Sequence, residues 1–343
     1  KTGVGFSPDL VWLKSRGSSG ATYGHPWTDT VRGVGLKIDC SATLAQTTEL
    51  AGLTAFGADG FTVGSDTEYS DTTGSGMVAW SWLSGGAPTA TNIATSGAMT
   101  ANSVSLNGSL QAAYTPSGSP SLYPTGMSIN TTYGFSIGRW DGASAPETLP
   151  HGLSQAPELV LYKALDGTLD WIAGTAVPSG IDFTDYLEWN TNQAKTDDVT
   201  RWYDTAPTAD VFSVGTYVTS DTFSYYCFHS VEGFSKIGTF VGNGNADGTF
   251  FYTGFRPNVL ILKNIDDVQQ WNIRDVARSP FNVMDKLLHP SLQNAETTNS
   301  DADIDFLSNG FKNRATHAGF NGSGKNYLYL AFAAFPFKYA NAR

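Results

Sequence analysis

Chemistry in this chain would have to come from its histidines, its carboxylates or the oxygens of its loops. His25, His151, His229, His289 and His317 stand in unrelated contexts, with no HExxH motif and no His-x-His pair. No P-loop is present, and no nucleophile elbow of the Gly-x-Ser-x-Gly type is expected. Two carboxylates facing each other across a sugar linkage could cleave a polysaccharide. Asp166, Asp170 and Glu188 are candidates for that role only because 31 acidic residues are available. The residues therefore point to a protein without catalytic residues, with a polysaccharide depolymerase as a remote alternative.

Two acidic stretches have the residue types of a calcium loop, the only cofactor the sequence suggests. Asn243-x-Asn245-x-Asp247-Gly248 alternates oxygen ligands as the opening of such a loop does, but its twelfth position is Gly254 where an acid should close the coordination. Asp301-x-Asp303-x-Asp305 gathers three carboxylates that would repel one another without a cation. A plain Gly/Asn turn and an exposed acidic loop are the simpler readings. Aromatic residues offer a second kind of site. Trp171 and Trp271 follow Lys163 and Lys263 by eight residues, and Trp27 follows Lys14 by thirteen. Buried in a hairpin they would serve as core; exposed, the three rings would form platforms for the apolar face of a sugar.

The elements that must position these residues recur three times. Gly5-Phe6-Ser7-Pro8 leads to Leu10-Val11-Trp12-Leu13-Lys14; Pro157 leads to Leu159-Val160-Leu161-Tyr162-Lys163; and Gly254-Phe255-Arg256-Pro257 leads to Val259-Leu260-Ile261-Leu262-Lys263. In each copy the proline stands six positions before the lysine. Phe61, Phe212 and Phe311 follow at nearly equal distance, and an aromatic run closes each copy at Met77–Trp82, Tyr225–Phe228 and Tyr327–Phe332. Such self-similarity describes a scaffold. A further element, Gly134-Phe135-Ser136-Ile137-Gly138-Arg139-Trp140, matches Gly233-Phe234-Ser235-Lys236-Ile237-Gly238-Thr239-Phe240 but has no counterpart before Lys14. The numbered chain is accordingly expected to open inside a repeat.

Short runs of Val, Leu, Ile, Trp and Tyr bounded by Gly, Pro and Asn read as strands. Asp59-Gly60, Asp141-Gly142, Asp166-Gly167, Asp247-Gly248 and Asn309-Gly310 supply turns between them. The best helical stretch, Val276 to Leu288, is interrupted by Pro280 and would give one or two turns. The predicted fold is all-β: three related β-sandwich-like, jelly-roll-like domains in tandem. Residues 1–83 form the first repeat, 133–232 the second and 233–343 the third. Residues 84–132, rich in Gly, Ala, Ser and Thr and free of charge, form an irregular or edge-strand connection.

Asp29-x-x-Arg32 and Asp275-x-x-Arg278 recur at a spacing that lets each pair meet within one turn, and the second repeat lacks the pair. They read as salt bridges bracing a connection, of little energetic weight if exposed. Lys14, Lys163 and Lys263 read as strand-end lysines with wet ammonium groups. Cys40 and Cys227 occupy non-equivalent positions, which argues for two free thiols. A net charge of -11 without a basic cluster gives no basis for nucleic-acid binding, and no apolar stretch is long enough for a membrane span.

The Gly-Phe-x-Pro-x-x-Val-x-x-Lys pattern, Phe306-Leu307-Ser308-Asn309-Gly310-Phe311-Lys312, Tyr327–Ala333 and the ending Pro336–Arg343 together resemble a repeat-containing family abundant in marine bacteriophage genomes. Val231–Gly238 and Gly242–Gly248 are similar to it as well. The resemblance is strongest from residue 225 onward. It implies a structural protein of the virion surface or tail (a tail fibre, spike or capsid decoration) whose partners are other virion proteins and copies of itself, with a trimer the expected assembly. It carries no catalytic residues. The alternative from another class is an adhesin that binds a host surface glycan or receptor.

Overall fold

Unbroken succession of branched and aromatic residues suits a strand buried on both faces, and each Pro-to-Lys run forms one. A computed structural model describes residues 1–17, 23–71, 74, 76–142, 146–177 and 180–333; the ending Pro336–Arg343 lies outside the described residues. Leu10–Ser15, Leu159–Ala164 and Pro257–Asn264 are the first strands of the three repeats. Each pairs antiparallel with a short second strand, Pro26–Asp29, Ile172–Thr175 or Asn272–Asp275. On its other side each pairs antiparallel with the closing run, Met77–Trp82, Thr222–Phe228 or Asn326–Ala333.

Side chains along these first strands alternate between two cores, as the period of a strand requires. Val11 and Leu13, Val160 and Tyr162, and Leu260 and Leu262 face three separate outer cores. Small second sheets cover those cores: Leu53–Gly57 with Gly60–Val63, Glu147–Pro150 with Val211–Val214, and Ile304–Leu307 with Gly310–Asn313 and Phe250–Tyr252. The chain is thus all-β, with three related sandwiches in tandem. Leu10 and Trp12, Leu159 and Leu161, and Val259 and Ile261 face inward to one central core common to all three.

Main-chain hydrogen bonds close the three sandwiches into a ring. Gln46 N–H donates to Leu165 O at 2.7 Å, Lys195 N–H to Ile265 O at 2.9 Å, and Glu296 N–H to Arg16 O at 3.2 Å. First binds second, second binds third and third returns to first, through residues at equivalent places in each repeat. Indoles fill the space inside. Trp12 lies 6.1 Å from Trp189, Trp189 lies 4.5 Å from Trp271, Trp27 lies 5.3 Å from Trp171, and Trp82 lies 5.6 Å from Phe332, centroid to centroid.

Residues 84–132 add to the second sandwich. Gly126–Asn130 pairs antiparallel with Phe135–Asp141 and parallel with Val104–Leu106, while Met99, Val104 and Met127 enter the second outer core. No helix forms between Val276 and Leu288: one hydrogen-bonded turn, Ser279 N–H to Asp275 O at 3.1 Å, opens the stretch, and Lys286–Leu287 is a strand that pairs with Thr297–Thr298. Pro280 and the pull of that ladder outweigh a weak helical period. Helix is confined, among the described residues, to Val199–Trp202, Ala318–Asn321 and a single 3-10 turn at Ser300–Ala302.

Candidate functional site

Strand pairing gives the equivalences between repeats. Asp29, Thr175 and Asp275 all lie opposite the first apolar residue of their first strand, so the residues four before them, His25, Trp171 and Trp271, are equivalent. Each reaches across a seam of the ring. Trp171 Nε1 donates to Asp39 O at 3.0 Å and Trp271 Nε1 to Glu188 O at 2.8 Å. His25 takes the indole's place in the first repeat, its Nε2 lying 2.9 Å from Leu292 O while Trp12 Nε1 donates to its Nδ1 at 3.1 Å. Because Nδ1 accepts, the proton resides on Nε2, and the ring is neutral. Burial, reinforced by the charge of Lys14, pulls its pKa down to about 3.

Trp27, Trp171 and Trp271 are therefore not sugar platforms. Their relative exposures are 2%, 0% and 0%, so no ring face is offered to a ligand. Trp27 is not even the third member of the set: its sequence spacing from Lys14 differs because the repeat equivalent is His25, a polar residue that a search for repeated tryptophans passes over. Trp27 packs instead at 5.4 Å against Trp12 and at 5.1 Å, edge on, against Tyr226.

The Asp-x-x-Arg pairs are buried rather than exposed. Arg32 Nε lies 2.6 Å from Asp29 Oδ2, and Arg278 Nε lies 2.6 Å from Asp275 Oδ2. A neighbouring repeat completes each carboxylate: Tyr226 Oη donates to Asp29 Oδ2 at 2.7 Å, and Trp80 Nε1 to Asp275 Oδ2 at 3.2 Å. The closing strands align Tyr226, Trp80 and Leu330. Where the acceptor is Asp the neighbour supplies a donor, and where the second repeat has Thr175 the third repeat has apolar Leu330. A buried acid needs its partners satisfied, whereas a threonine that donates to its own repeat, at Glu158 O, needs none from outside. Arg278 and Arg16 share Glu296, which ties the third repeat to the first.

The three lysines are also buried, contrary to the wet-ammonium expectation. Lys14 Nζ donates to Tyr23 O at 2.5 Å and Gln293 O at 2.8 Å; Lys263 Nζ donates to Gln269 O at 2.6 Å and Asn192 O at 3.2 Å; Lys163 Nζ donates to Ala164 O at 2.7 Å and Gly167 O at 3.2 Å. Burial pulls Lys14 and Lys163 down to about 8 and Lys263 to about 7. Two of the three carry a carbonyl of the preceding repeat in the ring, so these lysines also stitch seams. Cys40 and Cys227 are free and buried, and burial raises both thiols.

The other chemistry-bearing residues sit in local turns. Asn243 Oδ1 accepts from Asn245 N–H at 3.0 Å and Asn321 Nδ2 at 2.9 Å, Asn245 Oδ1 accepts from Asp247 N–H at 2.9 Å, and Asp247 pairs with Lys312 at 2.7 Å. The loop's oxygens thus face N–H donors, which corrects the calcium reading for Asn243, Asn245 and Asp247. Asp305 pairs with Arg314 at 3.5 Å, Asp301 N–H is capped by Asn299, and burial raises the carboxyl of Asp303. Asp301, Asp303 and Asp305 do not form a ligand set either, since among the described residues no group of three His, Cys, Asp or Glu is placed to hold a metal. Asp166, Asp170 and Glu188 accept hydrogen bonds from Thr222 N–H, Asn190 Nδ2 and Thr191 Oγ1.

One catalytic string was missed in the sequence. Gly134-Phe135-Ser136-Ile137-Gly138 does fit Gly-x-Ser-x-Gly. Ser136 lies within the strand Phe135–Asp141 and is fully buried, however, so it lacks the exposed strand-to-helix turn that makes such a serine a nucleophile. A groove of about 290 Å³ lies where the first repeat, the connection and the second repeat meet, lined by Val31, Pro88, Thr89, Thr91, Thr125 and Arg139 among others.

Residues 1–119 and 113–336 match in succession a domain of unknown function, DUF7483. No curated protein and no solved structure matches the chain.

Proposed function

We propose that this chain, which belongs to the DUF7483 family, is a non-enzymatic structural component of a bacteriophage particle, a tail fibre, spike or capsid decoration, acting through surface contacts and self-assembly. The observation that carries this reading is the use of its polar interior. The buried Asp, Arg, Lys and His residues of the seams are spent on joining one repeat to the next, with hydrogen-bond partners in place. Rigidity of that kind suits a building block. Large apolar side chains on the surface support contact with other subunits: Ile93, Phe281 and Leu50 are 86%, 81% and 79% exposed. The placement in a virion rests on the sequence resemblance.

Sedimentation velocity over a range of concentrations tests self-assembly, and electron cryo-microscopy of particles carrying the protein tests its location. We expect concentration-dependent association that Phe281→Asp or Leu50→Asp weakens, and density for the ring in the particle. A strictly monomeric chain absent from particles would sink the proposal. A glycan-binding adhesin is the second reading, favoured by the threonines and Arg139 of the groove; glycan-array binding abolished by Arg139→Ala would establish it in place of the first.

A further inference from the structure

The closing strands of the second and third sandwiches are central in their sheets, and that of the first is not. Thr222–Phe228 is flanked by Leu159–Ala164 and by Phe135–Asp141, and Asn326–Ala333 by Pro257–Asn264 and Ser235–Val241. Met77–Trp82 pairs only with Leu10–Ser15 and ends its five-stranded sheet among the described residues. Arg16 N–H donates to Gly76 O, which fixes the alternation: Val78, Trp80 and Trp82 bond toward Leu10–Ser15, and the N–H and C=O groups of Met77, Ala79 and Ser81 point off the edge. Natural proteins blunt an open edge with lysine, proline or a bulge. Met-Val-Ala-Trp-Ser-Trp has neither lysine nor proline, and its ladder with Leu10–Ser15 runs in unbroken register.

The chain itself displays, twice, what such an edge takes. Phe135-Ser136-Ile137-Gly138-Arg139-Trp140 and Ser235-Lys236-Ile237-Gly238-Thr239-Phe240 share the pattern Ile-Gly-x-aromatic. Ile137 and Ile237 lie opposite Tyr226 and Leu330, the equivalents of Trp80, and Trp140 and Phe240 lie opposite Phe223 and Tyr327, the equivalents of Met77. The glycines answer the tyrosines opposite them, since a Cβ on Gly138 would stand 2.1 Å from the ring of Tyr225, and one on Gly238 2.6 Å from the hydroxyl of Tyr329. The first repeat has the exposed Ala79 at that position, so no ring there requires a glycine, whereas Ile137 and Ile237 bury in the central core and Trp140 and Phe240 in the outer cores.

We propose that the edge Met77–Trp82 is a docking site for one added antiparallel β-strand of this x-x-Ile-Gly-x-aromatic class, supplied by a protein segment, with its Ile opposite Trp80 and its aromatic opposite Met77. The outward main-chain groups of Met77, Ala79 and Ser81 give the ladder, and the two side-chain positions give the register.

The probe is an acetylated synthetic peptide with the sequence of residues 231–243, added to the purified chain, with hydrogen exchange resolved over residues 77–82 and Trp fluorescence as readouts. The expected result is saturable binding that slows exchange at 77–82. Ala79→Pro in the chain, which removes an outward N–H from an edge position where proline is tolerated, abolishes the protection with the far-UV spectrum unchanged. Independently of any folding effect on the chain, Ile237→Asp in the peptide weakens binding by about tenfold or more, the loss expected for an apolar side chain denied burial. Absence of saturable binding at millimolar peptide overturns the proposal. So does equal binding by the Asp peptide, or protection of 77–82 that rises with protein concentration without peptide and so marks a second copy as the occupant.

Discussion

Tyr226→Phe isolates one contact on which the seam between the first and second repeats depends. The hydroxyl donates at 2.7 Å to Asp29 Oδ2, the same oxygen that holds Arg32 Nε at 2.6 Å. Oδ1 keeps its own donors, the N–H groups of Val31 and Arg32. Removing the hydroxyl therefore leaves a buried acid still paired with Arg32 but short of one donor, without opening a cavity larger than an oxygen. A hydrogen bond to a charged group is worth about 1.5–3 kcal/mol, and the surviving partners argue for about 2 kcal/mol. Asp29→Ala, which takes the carboxylate partner from the buried side chain of Arg32, should cost more, about 3–5 kcal/mol. In the double variant the Tyr226 change should cost little, so the two effects are non-additive by about the value of the single hydrogen bond. Urea unfolding followed by intrinsic fluorescence and by far-UV circular dichroism reads all four corners of the cycle. If Tyr226→Phe falls within about 0.5 kcal/mol of the parent, as a change at an ordinary surface position does, the hydroxyl is not completing a buried acid and the account of the seam fails.

Further outcomes follow from burial. Lys263, with a pKa of about 7 in the folded chain against about 10.4 unfolded, binds fewer protons folded than unfolded between those values. Stability should thus rise with pH in that window by up to about 1.4 kcal/mol per unit from this residue, and Lys263→Met should flatten the slope of urea midpoint against pH between 7 and 9; an unchanged slope would mean the ammonium is solvated. His25, held at about 3, and His151, at about 4, act with the same sign at lower pH: their contribution is complete above about pH 6.5 and is lost as pH falls toward those values. A flat midpoint from pH 7 to 5 would contradict neutral buried rings. Gly138→Ala places a Cβ against the Tyr225 ring and should destabilise by about 1–3 kcal/mol, with near-wild-type stability restored by adding Tyr225→Ala only in part, because the outer core then loses an aromatic.

The strands were legible in the sequence for a local reason. A run such as Leu159–Ala164 is branched or aromatic at nearly every position, and such a run bounded by proline and glycine has few conformations other than a strand buried on both faces. The threefold recurrence of that run, with its proline and lysine, carried the all-β class and the tandem repetition. Val276 to Leu288 went the other way, because a weak helical period is decided by the ladder that Lys286–Leu287 makes with Thr297–Thr298, a partner no local pattern names.

What the tertiary structure alone decided is how the repeats meet. Nothing near Asp29 in the chain announces Tyr226, and nothing near Asp275 announces Trp80; each donor comes from the next sandwich in the ring, nearly two hundred residues away. The same holds for Lys14 and Lys263, whose end-of-strand position suggests a solvated charge until a neighbouring repeat closes over it with a carbonyl. His25 could be recognised as the counterpart of Trp171 and Trp271 only through strand register, since its chemistry differs and only its place is shared. Periodicity and turn residues act over a few positions and are written locally, so the sequence by itself determined the strands and their threefold repetition. The burial of an ionisable group depends on surfaces brought together from distant parts of the chain, and that was settled only when the ring closed.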